Sequence, residues 1–186
     1  MERIRKLVKK KEGGYEEVYE IILNEEEKKQ KEIVKNLITL ERKIKKSLYI
    51  RHLFIRFEKL ENGEKYKEEV KYPFVNYVVI DTSVLSEKEA ARYFFYALRR
   101  LHQLGYTDTE NTKKACVWLY EQNHPVIISD PNDYKQVLRH SLQETEVDAV
   151  AYMQMNMAKY YEEDVVCEDE IVQYRIDAYK KITFNS

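Results

Sequence analysis

Residues that form disulfides or that favour turns in the backbone are scarce in this sequence. It has 2 cysteines, 3 prolines and 4 glycines among 186 residues. Two cysteines cannot form a disulfide framework, and Cys116 and Cys167 lack the Cys-x-x-Cys spacing of zinc and redox motifs. No apolar run is long enough to span a membrane, and the first residues lack the apolar core of a signal peptide. We therefore expect a cytoplasmic protein without a membrane anchor.

The chain also has almost no net charge and no nucleotide-binding motif. The 32 Lys and Arg residues are balanced by 33 Asp and Glu, so the whole chain offers no field that would steer a polyanion. It contains no GxxxxGK[ST] or GxGxxG motif, and neither cysteine lies near a histidine, so the sequence predicts no phosphate cradle and no cysteine nucleophile. The 16 tyrosines, a basic N-terminal part and an acidic C-terminal part favour a protein partner, with the oligomeric state left open.

The hydrophobic pattern predicts an α+β fold with helices at the N-terminus. Gly13-Gly14 is interpreted as the break between a short basic helix and a second helix. An apolar stripe at helical spacing follows, and it consists of Ile33, Leu37, Leu40, Ile44 and Leu48. We therefore predict an N-terminal helical arm over residues 1–48 and an α+β core domain over residues 49–186, packed together as one compact unit.

A change of period after residue 48 predicts a small sheet. Residues 49–71 alternate and contain Asn62-Gly63, a strong signal for a hairpin turn, so we predict a β-hairpin there. After Pro73, the run FVNYVVIDTS is rich in Val, Ile and aromatic residues, which indicates a third strand. The expected sheet is therefore based on a hairpin and is either antiparallel or mixed.

The C-terminal half is predicted to be helical. Ser86 and Glu89 form a capping box that opens a helix, and Gly105 is a natural residue to follow its end. Thr107 and Glu110 repeat the box for the next helix.

Prolines mark the predicted boundaries of the remaining helices. His124-Pro125 is expected to end the helix that begins near residue 107. Asp130-Pro131 then resembles an N-cap with proline at the first helical position, which predicts one long helix toward Tyr161 and a closing helix after it.

Three residues of that long helix form a candidate metal site. His140, Glu144 and Asp148 are spaced i, i+4 and i+8, so on one helix they lie above one another on a single face. Imidazole and carboxylate ligands at this spacing are typical of helical metal sites, which makes a metal-dependent hydrolase one alternative function. A solvated helix face has the same pattern, and Glu146 is expected to lie on the opposite side.

Basic segments suggest another alternative, a nucleic-acid-associated protein. Lysines and arginines clustered on one face can neutralise several phosphates. Arg99-Arg100 in the central helix could extend such a face, although near-neutral net charge and the absence of a known readout module favour solvated helices. The candidate contacts are Lys9, Lys10, Lys11, Arg42, Lys43, Lys45 and Lys46.

The run Glu146-Val-Asp-Ala-Val-Ala-Tyr152 resembles the third-ligand helix of gluzincin-type zincin metallopeptidases. This family includes the peptidase domain of some plasmid antirestriction proteins. In it, a sheet precedes an active-site helix that bears HExxH, and a later helix supplies a Glu followed by an acidic residue and small residues. The chain has the same order of elements over residues 75–160. The resemblance implies a zincin-like fold in which Glu146 and Asp148 lie on the later helix.

The HExxH motif itself is absent. When YFFYALRRLHQ is set in the place of the active-site helix, Ala97 and Leu101 fall at the two histidine ligands and Leu98 at the general-base glutamate. Zinc hydrolysis by that route needs two imidazoles one turn apart and a carboxylate. The resemblance therefore implies a pseudo-enzyme that binds no cofactor, acts by protein–protein contact, and inhibits a host defence system for a phage or mobile element.

Overall fold

The chain combines two small sheets with a helical C-terminal half in the computed structural model. The structure describes residues 2–9, 15–44, 48, 50–71, 75–164 and 170–184, with the backbone alone for 2–9, 15–22 and 178–184. The α+β class is confirmed. Within the described ranges, no helix is both long and apolar enough to cross a membrane. The elements are β1 (Glu2–Lys9), β2 (Tyr15–Ile22), α1 (Glu25–Ile44), β3 (Leu53–Glu58), β4 (Tyr66–Lys71), β5 (Val75–Asp81), α2 (Glu87–Thr109), α3 (Lys113–Asn123), α4 (Tyr134–Ser141), α5 (Glu144–Tyr161) and α6 (Glu170–Phe184).

Residues 2–9 and 15–22 form a β-hairpin, which corrects the predicted pair of N-terminal helices. β1 and β2 pair antiparallel, with Lys9 opposite Tyr15. β2 is rich in β-branched and aromatic residues, a composition that favours strands. Gly13-Gly14 falls between the two strands in the sequence, and glycine pairs are as typical of hairpin turns as of helix breaks. Among the described residues of the predicted helical arm over 1–48, helix is found only in α1.

The main sheet has the strand order β3-β5-β4, so the hairpin predicted over residues 49–71 is wrong in its pairing. β5 lies between the other two strands, parallel to β3 and antiparallel to β4. The predicted turn does form, because Asn62 and Gly63 have positive φ angles of 55° and 76°. β5 is the central strand because Val78, Val79 and Ile80 are fully buried, and only a central strand is covered on every side. The sheet is mixed, which was one of the two predicted alternatives.

α1 packs into the main core through the predicted apolar stripe. Ile33 and Leu37 are buried among residues of α2 and the sheet, and Leu40 and Ile44 pack against them. A polar tether supports this contact, since the Gln30 side chain donates to the Thr82 carbonyl at 3.0 Å. The helix is therefore part of the core rather than a projecting arm.

α2 begins where the sequence predicts and ends later. Ser86 is the N-cap, and its hydroxyl accepts a hydrogen bond from the Glu89 amide at 3.4 Å. The predicted end at Gly105 is wrong, because α2 continues for another turn. The predicted cap Thr107 lies inside the helix, where its hydroxyl donates to the Leu104 carbonyl at 2.9 Å. Packing of the last turn overrides the modest cost of a helical glycine, about 1 kcal/mol.

The N-cap of α3 differs from the residue predicted from the sequence. Thr112, not Thr107, is its N-cap and accepts from the Ala115 amide at 3.1 Å. The predicted end at His124-Pro125 is confirmed.

The long helix predicted from Asp130 to Tyr161 is in fact two helices, α4 and α5. Asp133 rather than Asp130 is the N-cap of α4. Gln143 has extended backbone angles, φ −61° and ψ 136°, and separates the helices. The first two amides of α5 donate to the Glu121 carboxylate of α3, at 2.8 and 2.9 Å. Since this cap comes from another helix, no local sequence pattern could indicate the break.

The packing of α1 makes a direct prediction. Leu37 is 0% exposed and its neighbour Ile38 is 36% exposed. We expect Leu37→Ala to lower the free energy of unfolding by about 2–5 kcal/mol, because it leaves a cavity in the core. Ile38→Ala is the matched control and should cost less than about 1 kcal/mol. Urea denaturation measures both, and equal effects would contradict the described packing of α1.

Candidate functional site

A cluster of polar side chains joins α2 to α5. The apolar face of α2, with Phe94 and Leu98, packs into the main core. The face toward α5 carries ionised and hydrogen-bonding groups, most of them buried. Buried charges are stable only when they are paired and hydrogen-bonded. We call this set the interhelical cluster, and it consists of Tyr96, Arg99, Arg100, Gln103, Thr145, Glu146 and Asp148.

Asp148 is the centre of the interhelical cluster. Its carboxylate accepts from Arg99 Nε at 2.6 Å and from Arg99 Nη2 at 3.1 Å, a bidentate pair. Gln103 Nε2 donates to the same carboxylate at 3.0 Å and to the Thr145 carbonyl at 2.9 Å. Lys114 of α3 brings a second cation to 3.6 Å. Bidentate, charge-assisted bonds of this kind are among the strongest in proteins.

Glu146 joins the cluster from the other side of α5. It accepts a short hydrogen bond from the Tyr96 hydroxyl and lies 3.5 Å from Arg100 Nη1. Arg100 Nε lies 3.9 Å from Glu68 Oε1 of β4. Burial raises the pKa of the Glu68 carboxyl, and Arg100 opposes that change. Burial and the Glu146 charge raise the pKa of Tyr96, so its phenol stays protonated as the donor.

The three residues predicted as a metal site contact different partners. His140 lies near the end of α4, with Nε2 4.0 Å from Glu146 Oε1. Glu144 pairs with Arg175 of α6, while Asp148 pairs with α2. The break between α4 and α5 separates His140 from the helix that carries Glu144 and Asp148, so the three residues no longer share one helical face. Among the side chains that the structure describes, no group of three His, Cys, Asp or Glu residues could hold a metal ion.

The positions compared with HExxH lie in the apolar core rather than in the interhelical cluster. Ala97, Leu98 and Leu101 are buried in the main apolar cluster. The pair one turn apart that reaches α5 is Arg99 and Gln103, which both contact the same carboxylate. A shift of two residues rotates a side chain about 200° around a helix, so Arg99 and Gln103 lie on a different face of α2 from Ala97 and Leu101.

The candidate nucleic-acid contacts are only partly described. Arg42 and Lys43 are exposed in the last turn of α1. Arg99 is buried against Asp148, so the suggestion that Arg99-Arg100 extend a phosphate-binding face is wrong for Arg99. Lys9 is the last residue of β1, and the structure describes only its backbone. The remaining candidate contacts lie outside the described residues, and they are Lys10, Lys11, Lys45 and Lys46.

Sequence reasoning missed most of the interhelical cluster. A signal was present, because Arg99 and Gln103 interrupt an apolar helix and Asp148 stands among small apolar residues in VDAVA. Polar residues at helix positions that face a core need partners. Matching the opposite charges of the two helices would have indicated the contact.

His102 lies beside the cluster in an aromatic setting. Its ring centroid is 5.9 Å from that of Tyr106 and 6.2 Å from that of Trp118. Burial lowers the pKa of His102 to about 3, with Arg99 adding to the effect and Asp148 opposing it. The imidazole is therefore neutral in the folded protein at neutral pH.

A second candidate site is an apolar surface on α3, α4 and the segment between them. None of the residues of α4 is buried, and Ile127 and Tyr134 are 77% and 73% exposed. Large apolar side chains that remain exposed on neighbouring elements are candidates for interaction sites in soluble proteins. We call this the α3–α4 surface, and it comprises Val117, Leu119, Tyr120, Ile127, Ile128, Tyr134, Leu138 and Leu142.

Comparison with known proteins found no matching family model, no similar curated protein and no similar solved structure. The resemblance to zincin metallopeptidases therefore stays a prediction.

The buried imidazole predicts how stability depends on pH. Because the pKa of His102 is about 3 when folded and about 6.5 when unfolded, the unfolded chain binds the extra proton as the pH falls below 6.5. This contribution to stability is complete above pH 6.5 and is lost toward pH 3, at up to about 1.4 kcal/mol per pH unit. We expect the stability advantage of the wild type over His102→Gln to shrink steadily from pH 7 to pH 4.5 in urea titrations. A difference that stays constant over this range would contradict the prediction.

Proposed function

We propose that this chain is a non-catalytic binding protein, a pseudo-enzyme built on a peptidase-like helix pair. The observation that carries the proposal is the contact of Arg99 and Gln103, one helical turn apart, with Asp148. In a zincin, two imidazoles at this spacing hold zinc together with a glutamate of the later helix. The resemblance gives the place of that glutamate to Glu146, whereas the carboxylate that meets the pair here is Asp148, two residues further along α5. Here a guanidinium supplies the positive charge that such a carboxylate needs.

A guanidinium in this position favours structure over catalysis. It stays protonated at every physiological pH and offers no open coordination position. It cannot lower the pKa of a bound water, which is the step by which zinc generates a nucleophile. The second carboxylate, Glu146, is engaged by Tyr96 and Arg100 and so lacks the freedom expected of a general base.

Binding is supported by the α3–α4 surface. Large apolar side chains such as Ile127 and Tyr134 gain little from water contact, and their burial by a partner would be favourable by about 25 cal/mol per Å². On the resemblance to antirestriction peptidase domains, the partner is a protein of a host defence system, and the chain inhibits it by contact.

Rebuilding the ligand positions tests this proposal. We expect Arg99→His/Gln103→His to gain a Zn²⁺-dependent rise in Tm, because two imidazoles one turn apart would then face the Asp148 carboxylate. At a free Zn²⁺ concentration one hundred times Kd, the gain in stability is about 2.7 kcal/mol. The wild-type Tm should not change with a chelator or with added Zn²⁺.

The matched control is Arg99→Asn/Gln103→Asn, which removes the same contacts without adding a metal ligand. Its Tm should be insensitive to Zn²⁺. The proposed function is wrong if the purified wild type contains stoichiometric transition metal and a chelator lowers its Tm. The assignment of Arg99 and Gln103 to ligand positions is wrong if the folded histidine variant responds to Zn²⁺ no more than the control.

A further inference from the structure

The α3–α4 surface has a regular composition that points to its occupant. On α3, Lys113, Val117 and Tyr120 are spaced i, i+4 and i+7, so a cation and two apolar side chains share one exposed face. On α4, Tyr134 and Leu138 repeat the i, i+4 spacing. Both helices thus present apolar stripes, and an extended segment containing Ile127 connects them.

Polar contacts hold these pieces together at the start of α5. The Glu121 carboxylate of α3 accepts from the first amides of α5, as described above. Gln143, just before α5, accepts from the Val126 amide at 3.4 Å. The Gln136 side chain of α4 accepts from the Ser129 amide at 2.9 Å. The apolar side chains are therefore displayed on a hydrogen-bonded frame rather than on a loose loop.

The acidic side chains Glu121, Asp130 and Asp133 of this region accept hydrogen bonds from backbone amides. Glu121 binds the amides of α5, and Asp133 binds the Lys135 amide of α4 at 2.9 Å. Asp130 accepts from the Asn132 amide at 2.9 Å. These carboxylates satisfy backbone donors and helix N-termini, which partly compensate their charge.

The basic side chains of the same region are turned outward. Lys113, Lys135 and Arg139 are exposed, and in the part of the chain that the structure describes none of them forms an ion pair. Lys114 differs, because it lies close to Asp148. The border of the α3–α4 surface therefore offers unpaired cations around apolar side chains.

We propose that the α3–α4 surface binds a partner protein whose contact surface is apolar and bordered by Asp and Glu side chains. This inference rests on the proposed function and adds the location and chemistry of the contact. Complementary charge would fix orientation and speed association, while Tyr120, Ile127 and Tyr134 would supply buried apolar area. A second copy of the chain fits less well, since a two-fold contact would bring the same cations together.

Photo-crosslinking in full-length protein tests the inference. The photoreactive residue p-benzoylphenylalanine replaces Tyr134 or Ile127, and the variants are irradiated in a lysate of the cells that naturally contain the chain. The matched control carries it at Phe54, an aromatic residue 54% exposed on the main sheet. We expect positions 134 and 127 to crosslink one protein, through a peptide that contains apolar residues and several carboxylates, and position 54 to give no such adduct.

Charge reversal distinguishes the chemistry of the contact. Lys135→Glu/Arg139→Glu, introduced together with the crosslinker at position 134, should reduce the adduct about tenfold or more, because like charges would then oppose each other. Circular dichroism checks that the exposed substitutions leave the fold intact.

Several outcomes would overturn the inference. These are an adduct with a second copy of the chain, an adduct with nucleic acid, a partner peptide without carboxylates, an unchanged yield after charge reversal, or no adduct at either position. A partner that crosslinks at position 54 instead would refute this surface while leaving a binding function intact. Metal bound to the wild type would refute the proposed function independently of any crosslink.

Discussion

The ion pair between Arg99 and Asp148 is the constraint on which the arrangement of the helices depends. Both side chains are buried, and two charges removed from water are tolerated only in near-ideal geometry with further hydrogen bonds. Two short contacts from one guanidinium, a bond from Gln103 and a nearby Lys114 meet that requirement. Since an apolar pair could be equally stable, the ion pair contributes most by fixing how α2 faces α5.

That constraint extends to the apolar surface on α3 and α4. Lys114 joins α3 to Asp148, and Glu121 of the same helix caps α5. His140 Nε2 of α4 lies 4.0 Å from Glu146 Oε1. Polar contacts thus join α3 to α5 and to the interhelical cluster, while the eight side chains that define the α3–α4 surface are all exposed. A scaffold of this kind can expose apolar residues without unfolding them, because its stability comes from the neighbouring core.

The sequence predicted the features that local patterns encode. The α+β class, the apolar stripe of α1, the Ser86 cap and the strand after Pro73 follow from periodicity and from individual side chains. Prediction from the sequence failed where the interacting residues are far apart in the chain. The position of β5 between β3 and β4 depends on which strand buries most surface, and the break before α5 depends on Glu121.

The same difference between local patterns and contacts distant in sequence explains why the sequence predicted a metal site and not the interhelical cluster. A column of His140, Glu144 and Asp148 requires one continuous helix, but a break of two residues between α4 and α5 separates His140 from the other two. Each of the three side chains also has a different partner. Asp148 and its partner Arg99 on α2 are 49 residues apart in the sequence. Complementary charge on two otherwise apolar helices was the sign of this contact in the sequence.

A double-mutant cycle on Arg99 and Asp148 tests the central claim most directly. The free energies of unfolding of the wild type, Arg99→Met, Asp148→Leu and the double variant are measured by urea denaturation. Each single variant leaves one buried charge without its partner, which costs about 3–5 kcal/mol, whereas the double variant removes both charges. The account predicts that the double variant is more stable than the sum of the two losses implies, by about 2–3 kcal/mol. Additivity within about 0.5 kcal/mol would contradict it, since the two side chains would then act independently.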